Sequence, residues 1–229
     1  MGLNRSTDFN DFPVTGGKTL SITVDYYFTP QSPWAYLGHE RFARIARAAG
    51  ATVRVLPIDL GGKVFPISGG LPVGQRAPQR QAYRLLELKR HSDHLRLPLH
   101  VKPRYFPVAS DDASRLIIAV ELRDGAAAAM RISGAIFAAV WAQERHIADE
   151  KVLAELLAEC GLDAGRLEQS YSQTVQERYE ANTGQAIRAG VFGAPSYVVD
   201  GEQFWGQDRL DFVERKISAA AMHHSHAGV

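Results

Sequence analysis

The chain has 229 residues, of which 45% are hydrophobic and 22% are charged, a composition typical of globular proteins. Its 26 Lys and Arg residues balance 25 Asp and Glu residues, which argues against a nucleic-acid-binding protein. A single cysteine, Cys160, excludes an internal disulfide. No segment has the apolar length of a signal peptide core or a membrane span. We therefore expect a cytoplasmic protein with no nucleic-acid or membrane partner.

The first elements predict a βαβ unit. Apolar and polar residues alternate from Leu20 to Phe28, which is typical of a strand. Apolar residues then recur every three or four positions from Trp34 to Ala49, which predicts a helix that ends at Gly50. Residues 52–56 are a second strand signal. A strand, a helix and a strand at this spacing predict two parallel strands joined by a right-handed crossover.

The middle of the chain is predicted to be helical. Glycine and proline residues after Pro57 indicate a long loop, and helical periodicity then dominates from about residue 78 to Gly190. The strand pattern returns at residues 196–199 and 203–205, around the hairpin signal Asp200-Gly201. A final helix follows.

This order of elements predicts an α/β, thioredoxin-like fold (βαβ…ββα) with an all-helical domain inserted between the two halves. We expect the thioredoxin-like domain to comprise residues 19–60 and 191–219, and the inserted helical domain to comprise residues 61–190. Residues 1–18 are predicted to be a flexible tail. Residues 220–229 are predicted to be a second flexible tail, which contains histidines.

The turn before the first helix is a candidate active site. Ser32 precedes Pro33, a pattern that suits an ordinary helix N-cap. In a thioredoxin-like fold, however, this turn carries Cys-x-x-Cys, and the helix N-terminus stabilises a thiolate. Here the four residues are Ser32-Pro33-Trp34-Ala35, so disulfide exchange is excluded. Ser32 is therefore either a cap or a hydrogen-bond donor to the thiolate of a ligand.

A second candidate segment leads into the third strand. Gly193-Ala194-Pro195 invites a cis peptide bond at Ala194-Pro195, although an ordinary trans proline at a strand start is the more frequent arrangement. In the predicted fold the bond lies opposite the first helix. We expect the cis form, with Ser32 close to it.

A third candidate segment begins the last helix. Helix N-termini bind carboxylates through backbone N–H groups, and residues 205–209 lie at such a position. Asp208 is either the N-cap of this helix or a ligand for an ammonium group, or both. Between Arg76 and Arg104, eight Lys or Arg residues outnumber two acidic ones. This basic segment is either a solvated helix face or an electropositive wall for a small anionic ligand.

These residues together resemble the 2-hydroxychromene-2-carboxylate isomerases, which are similar to kappa-class glutathione transferases and to DsbA-like oxidoreductases. The resemblance covers about residues 21–217. The motifs that carry it include Asp25-Tyr26-Tyr27-Phe28, Ser32-Pro33-Trp34-Ala35-Tyr36-Leu37, Ile58-Asp59-Leu60-Gly61-Gly62, Gly190-Val191-Phe192-Gly193-Ala194-Pro195 and Trp205-Gly206-Gln207-Asp208-Arg209.

The resemblance implies a glutathione-dependent isomerase that acts on a small anionic aromatic substrate, and it implies a homodimer. Ser32 would be catalytic, donating a hydrogen bond to the glutathione sulfur. The remaining glutathione-binding residues would be Ala194 and Pro195 at the tripeptide backbone and, at the γ-glutamyl end, Trp205, Gly206, Gln207, Asp208 and Arg209. Substrate-binding residues would be Phe65, Arg80 and Phe106. No metal is expected.

The sequence departs from the family in the residues expected near the substrate. Gly70 stands where the family often has asparagine, Arg80 where lysine is common, and His91 where tryptophan is common. Two alternatives therefore stay open beside the isomerase. One is a kappa-like glutathione transferase, and the other is a non-catalytic protein that binds glutathione or a peptide.

Overall fold

A four-stranded mixed sheet lies at the centre of the molecule. The computed structural model describes residues 22–226, with side chains to residue 220, so the predicted tail at 1–18 lies outside the described residues. The strands follow the order β2-β1-β3-β4 in the sheet. Strand β1 pairs parallel with β2 and antiparallel with β3, and β3 pairs antiparallel with β4. The strand bounds are β1 Thr23–Phe28, β2 Thr52–Pro57, β3 Ser196–Val199 and β4 Glu202–Trp205.

The βαβ unit and the hairpin are both confirmed. Helix α1 (Pro33–Ala48) joins the parallel strands. Between β3 and β4, Asp200 and Gly201 have φ angles of 49° and 76°. Positive φ at both central residues is what a type I′ turn requires, and this turn matches the twist of the paired strands.

Helices α2 to α8 lie between β2 and β3 in the chain, which confirms the thioredoxin-like α/β fold with a helical insertion. The predicted long loop after Pro57 is wrong in detail, because a π turn (Leu60–Val64), helix α2 and a 3-10 turn (Val73–Gln75) occupy it. The helix bounds are α2 Phe65–Ser68, α3 Pro78–Leu95, α4 Asp111–Asp124, α5 Ala126–Trp141, α6 Glu150–Glu159, α7 Gly165–Gln169 and α8 Gln173–Arg188.

One apolar core joins the sheet to the inserted helices. Tyr26 of β1 stacks on Tyr197 of β3 with ring centroids 5.3 Å apart. Phe28 of β1 meets Phe137 of α5 edge to face at 5.2 Å. All four rings are fully buried and belong to a single cluster that continues into α6. The insertion therefore packs directly on the sheet.

Helix α1 is held between the sheet and α5 by a buried histidine. His39 is 3% exposed, and its Nε2 lies 2.8 Å from the carbonyl oxygen of Met130. Only a donor can satisfy that carbonyl, so Nε2 carries the proton and Nδ1 accepts from the Tyr26 hydroxyl at 3.3 Å. Gly134 allows this close approach, since a Cβ there would lie 3.1 Å from the His39 ring.

The last helix differs from its prediction at both ends. Gly206, with φ 102°, is the N-cap of a 3-10 turn over Gln207–Arg209, and helix α9 (Leu210–His226) follows. Asp208 lies within that turn, so its prediction as N-cap is wrong. The backbone of α9 is helical to His226 and so includes part of the predicted tail at 220–229. Among the described residues, no helix is long and apolar enough to cross a membrane.

Candidate active site

Ser32 is both a helix cap and a neighbour of the second candidate segment. Its Oγ accepts a hydrogen bond from the Ala35 N–H at 3.2 Å, which caps helix α1. The same hydroxyl donates to the carbonyl oxygen of Ala194 at 3.4 Å. Ser32 is only 6% exposed. The two interpretations of this serine are therefore compatible, because one hydroxyl accepts from the helix and directs its proton toward the loop opposite.

The loop opposite Ser32 has the predicted geometry. The Ala194-Pro195 peptide bond is cis, and Ala194 is 8% exposed. The carbonyl oxygen of Pro195 accepts from the N–H of Gly206 at 2.9 Å. This bond ties the loop to the turn that begins the last helix. The structure thus brings all three candidate segments together around the N-terminus of α1.

Trp205 lies beside the loop at the end of β4. A Cβ on Gly193 would lie 2.3 Å from the indole Nε1, so only glycine leaves room for the ring. Phe192 packs edge to face on Trp205 with centroids 4.9 Å apart. Both rings are about half exposed, at 44% for Phe192 and 52% for Trp205. They provide an apolar surface next to the cis bond.

The side chains of the turn at residues 207–209 differ in their exposure to solvent. Gln207 is 3% exposed, and its Nε2 bonds the His91 ring at 2.9 Å. The side-chain amide of Gln207 therefore points inward, and its backbone remains for a ligand. Asp208 accepts from Arg209 at 2.7 Å, and both side chains are about half exposed. These two charged groups remain accessible to a ligand.

The three predicted substrate residues lie in different surroundings. Phe65 packs against Gly70, where an added Cβ would lie 2.1 Å from its ring. Arg80 is exposed in the first turn of α3. The Phe106 ring packs against the Trp141 ring at a tilt of 50°, with centroids 4.8 Å apart. Phe106 packs against the main core, whereas Phe65 packs against a separate buried cluster.

Phe106 is nevertheless linked to the Ser32 turn. Two residues after it, the N–H of Val108 donates to Oε1 of Gln31 at 3.4 Å, and Gln31 directly precedes Ser32. Arg84, one of the basic residues predicted between Arg76 and Arg104, is buried, and its guanidinium lies 5.0 Å from the Phe106 ring centre. Its four-residue spacing from the buried Leu88 is the signal that could have placed it on the inner face of α3.

The surroundings of these residues suit a nucleophile that the protein does not itself carry. The only cysteine, Cys160, lies at the end of α6, where burial raises the pKa of its thiol. Among the residues that the structure describes, no cluster of His, Cys, Asp and Glu could hold a metal ion. What remains at the N-terminus of α1 is a hydroxyl donor, a cis peptide and positive helix-end potential.

Comparison with known proteins agrees with this geometry. Residues 23–218 match the DSBA-like thioredoxin domain family. The 2-hydroxychromene-2-carboxylate isomerase of Pseudomonas putida is 31% identical over 195 residues, which span 84% of this chain and 93% of that protein. Human glutathione S-transferase kappa 1 is 26% identical over 85% of this chain and 90% of its own length. A solved 2-hydroxychromene-2-carboxylate isomerase covers 91% of this chain and 100% of its own, at 27% identity and a TM-score of 0.75.

The match extends over the sheet, the inserted helices and the turn that contains Ser32. The chain therefore belongs to the DsbA-like thioredoxin-domain family and, within it, to the 2-hydroxychromene-2-carboxylate isomerases.

Proposed function

We propose that this protein is a glutathione-dependent isomerase of an aromatic carboxylate such as 2-hydroxychromene-2-carboxylate. The observation that carries the proposal is the contact between the Ser32 hydroxyl and the cis Ala194-Pro195 loop at the N-terminus of α1. The relatives named isomerases and kappa-class transferases support it. We further propose that the enzyme works in the cytoplasm as a homodimer.

The residues around Ser32 suit glutathione. The Ala194-Pro195 peptide would meet the backbone of the tripeptide, and Trp205 would cover it. Gly206 and the backbone at Gln207 begin the last helix, where N–H groups favour a carboxylate, and Asp208 would accept from the γ-glutamyl ammonium beside Arg209. When bound, glutathione supplies the thiolate that adds transiently to the substrate and leaves unchanged.

Ser32 would keep that sulfur ionised. Its hydroxyl donates to a carbonyl at 3.4 Å, a long bond that an anionic sulfur can replace with a stronger, charge-assisted one. The N-terminus of α1 adds positive potential at the same point. Because the thiolate is the reactive form, both effects raise the fraction of nucleophile at neutral pH.

The first test replaces Ser32 with alanine. We expect the pKa of the bound glutathione thiol to rise by about one to two units. A charge-assisted bond contributes ~1.5–3 kcal/mol, and one pKa unit corresponds to ~1.4 kcal/mol. Turnover near neutral pH should fall about ten- to a hundredfold and recover in part at higher pH. Ultraviolet absorbance of the thiolate, titrated against pH, measures the shift.

Ser172 offers a matched control, because it caps α8 in the same way through the N–H of Val175. Ser172→Ala should cost about as much stability as Ser32→Ala, roughly 1 kcal/mol for a lost cap, and leave the thiol titration unchanged. Superimposed titration curves for wild type and Ser32→Ala would reduce Ser32 to a helix cap.

The second test addresses the γ-glutamyl end. Asp208→Ala should weaken glutathione binding by ~1–3 kcal/mol, as expected for a lost charge-assisted bond. Its exposed pair with Arg209 contributes little to stability, so the variant should fold normally. Asp211→Ala is the control, because it removes a carboxylate from the first turn of α9 that pairs with Arg41. Equal affinities for all three proteins in calorimetric titration would refute this placement.

A glutathione transferase is the second candidate, favoured by the kappa-class relatives. The two activities differ in the fate of the thiol. An isomerase returns free glutathione after each turnover, whereas a transferase consumes one glutathione per product. Thiol assay during turnover of a chromene carboxylate distinguishes them: constant thiol supports the isomerase, stoichiometric loss supports the transferase, and no turnover of either kind indicates a binding protein.

A further inference from the structure

Arg84 is a buried cation that no carboxylate of the described residues pairs with. It lies on the inner face of α3 and is 8% exposed. It forms no ion pair with any carboxylate of the described residues, and its Nη2 is buried without a hydrogen-bond partner. Buried guanidinium groups are ordinarily paired, because desolvation of an isolated charge is costly. This arrangement suits an anion, and none of the described carboxylates supplies one.

The group is enclosed by aromatic rings. Its Cζ lies 5.0 Å from the ring centre of Phe106 and 5.7 Å from that of Trp141. The indole Nε1 of Trp141 is a second buried donor without a partner. Two unpaired donors in one cluster therefore face no acceptor among the described residues. Of the two rings, Phe106 is partly exposed, and an aromatic ring beside a planar guanidinium suits a planar, aromatic carboxylate.

Neighbouring charge strengthens the attraction for an anion. Burial, and then the positive charge of Arg76, lower the pKa of Arg84 to about 10, which leaves it protonated at neutral pH. Arg76 is itself held in place, because its Nε donates to the carbonyl oxygen of Leu71 at 2.8 Å. Arg80 adds to the positive potential around Arg76.

Arg84 is connected to the Ser32 turn through the segment that contains Phe106 and Val108. Phe106, on which it stacks, lies two residues before Val108, whose N–H bonds Gln31. Further along α3, His91 packs edge to face on Trp34 of α1 at 5.7 Å. The segment with Phe106 and helix α3 both border the N-terminus of α1.

We propose that Arg84 binds the carboxylate of the electrophilic substrate, with the partly exposed Phe106 against its aromatic ring, and so determines specificity for aromatic acids. The proposal rests on the proposed function and assigns to Arg84 the role that the sequence predicted for Arg80. The guanidinium offers a planar pair of donors that matches the two oxygens of a carboxylate, and the neighbouring Phe106 ring favours an aromatic acid over inorganic phosphate.

The test uses benzoate as the probe, measured by calorimetric titration. Wild type should bind benzoate at least tenfold more tightly than its neutral analogue benzamide or inorganic phosphate. Arg84→Gln should lose at least tenfold in benzoate affinity. Arg90→Gln is the matched control, because Arg90 lies on the same helix but is exposed and paired with Glu87, and it should bind as wild type does.

A second measurement separates ligand binding from a structural role. Arg84→Met removes an unpaired buried charge and keeps the apolar stem, so the melting temperature of the free protein should stay unchanged or rise while benzoate binding is lost. A lower melting temperature with normal benzoate affinity would make Arg84 a structural residue and overturn the proposal.

Glutathione distinguishes this proposal from the function on which it rests. Benzoate should bind equally with and without saturating glutathione, and Arg84→Gln should bind glutathione normally. Competition between the two would mean that Arg84 receives a glutathione carboxylate, and the substrate assignment would be wrong. If glutathione fails to bind wild type while benzoate binds through Arg84, the proposed function fails and the anion site stands. If Arg80→Gln loses benzoate binding and Arg84→Gln keeps it, Arg80 is the residue that binds the carboxylate, and the proposal for Arg84 is wrong.

Discussion

The ring of Phe65 lies where a side chain at position 70 would begin. A Cβ on Gly70 would come within 2.1 Å of that ring, well inside contact distance. Glycine at position 70 therefore accommodates the Phe65 ring, and a larger side chain at position 70 would displace it.

Restoring asparagine at position 70 tests this pairing. Gly70→Asn should destabilise the protein by ~1–3 kcal/mol, because the new side chain overpacks the Phe65 ring. The double variant Phe65→Ala/Gly70→Asn should recover most of that loss, measured by urea unfolding. Gly74→Asn is the control, since no atom lies within 4 Å of a Cβ there. Equal stability of Gly70→Asn and wild type would contradict the observed packing.

At single positions, the sequence indicated which residues belong to the candidate site better than it indicated where their side chains point. It placed Ser32 correctly because capping is local. The sequence did not indicate that the Gln207 side chain points inward. That orientation depends on the close approach of α1 at Gly38, where a Cβ would lie 2.8 Å from Gln207. The sequence also did not show that Arg84 is buried, because this burial depends on the position of the Phe106 and Trp141 rings.

Helix α1 carries both the site and a buried histidine. Burial lowers the pKa of His39, although the Met130 carbonyl and Glu40 act in the opposite direction. The folded state therefore keeps the ring neutral, whereas the unfolded chain binds a proton near its ordinary value of about 6.5. Stability from this group is present above that pH and is lost as the pH falls below it.

We expect the free energy of unfolding of wild type to decrease more steeply than that of His39→Gln when the pH is lowered from about 7.5 to about 5. Urea unfolding at a series of pH values measures both slopes. His94→Gln, which changes an exposed histidine of α3, should follow the wild-type slope. Parallel curves for wild type and His39→Gln would remove this histidine from the acid sensitivity of the fold.

The elements themselves were largely predictable where their signals were local. The alternation of apolar and polar residues predicted β1 and β2. Asp200-Gly201 predicted the hairpin, because both central residues of its turn need positive φ. The segment after Pro57 was less predictable. Its glycines and prolines indicate a loop, yet Asp59 caps a π turn there through the N–H of Gly62. A short helical turn of this kind has too few residues for periodicity.

For the whole molecule, the order of strands and helices was sufficient to predict the fold, but not how completely its parts are joined. Tyr26, Phe137 and Leu153 belong to the sheet, to α5 and to α6, and all lie in one buried cluster. The insertion is therefore part of the same core as the sheet, and we expect the two to unfold together. Sequence alone suggested separate domains because the insertion is contiguous in the chain.

The order of strands has a consequence for biosynthesis. Ser32 and Ala194 are 162 residues apart in the chain, and β3, which pairs with β1, emerges from the ribosome after every inserted helix. Until then one edge of β1 has unpaired N–H and C=O groups, which readily pair with other chains. Translation that stops within the insertion therefore yields an aggregation-prone fragment that lacks Ala194, the hydrogen-bond acceptor of Ser32, and the turn at Gly206 that is tied to it.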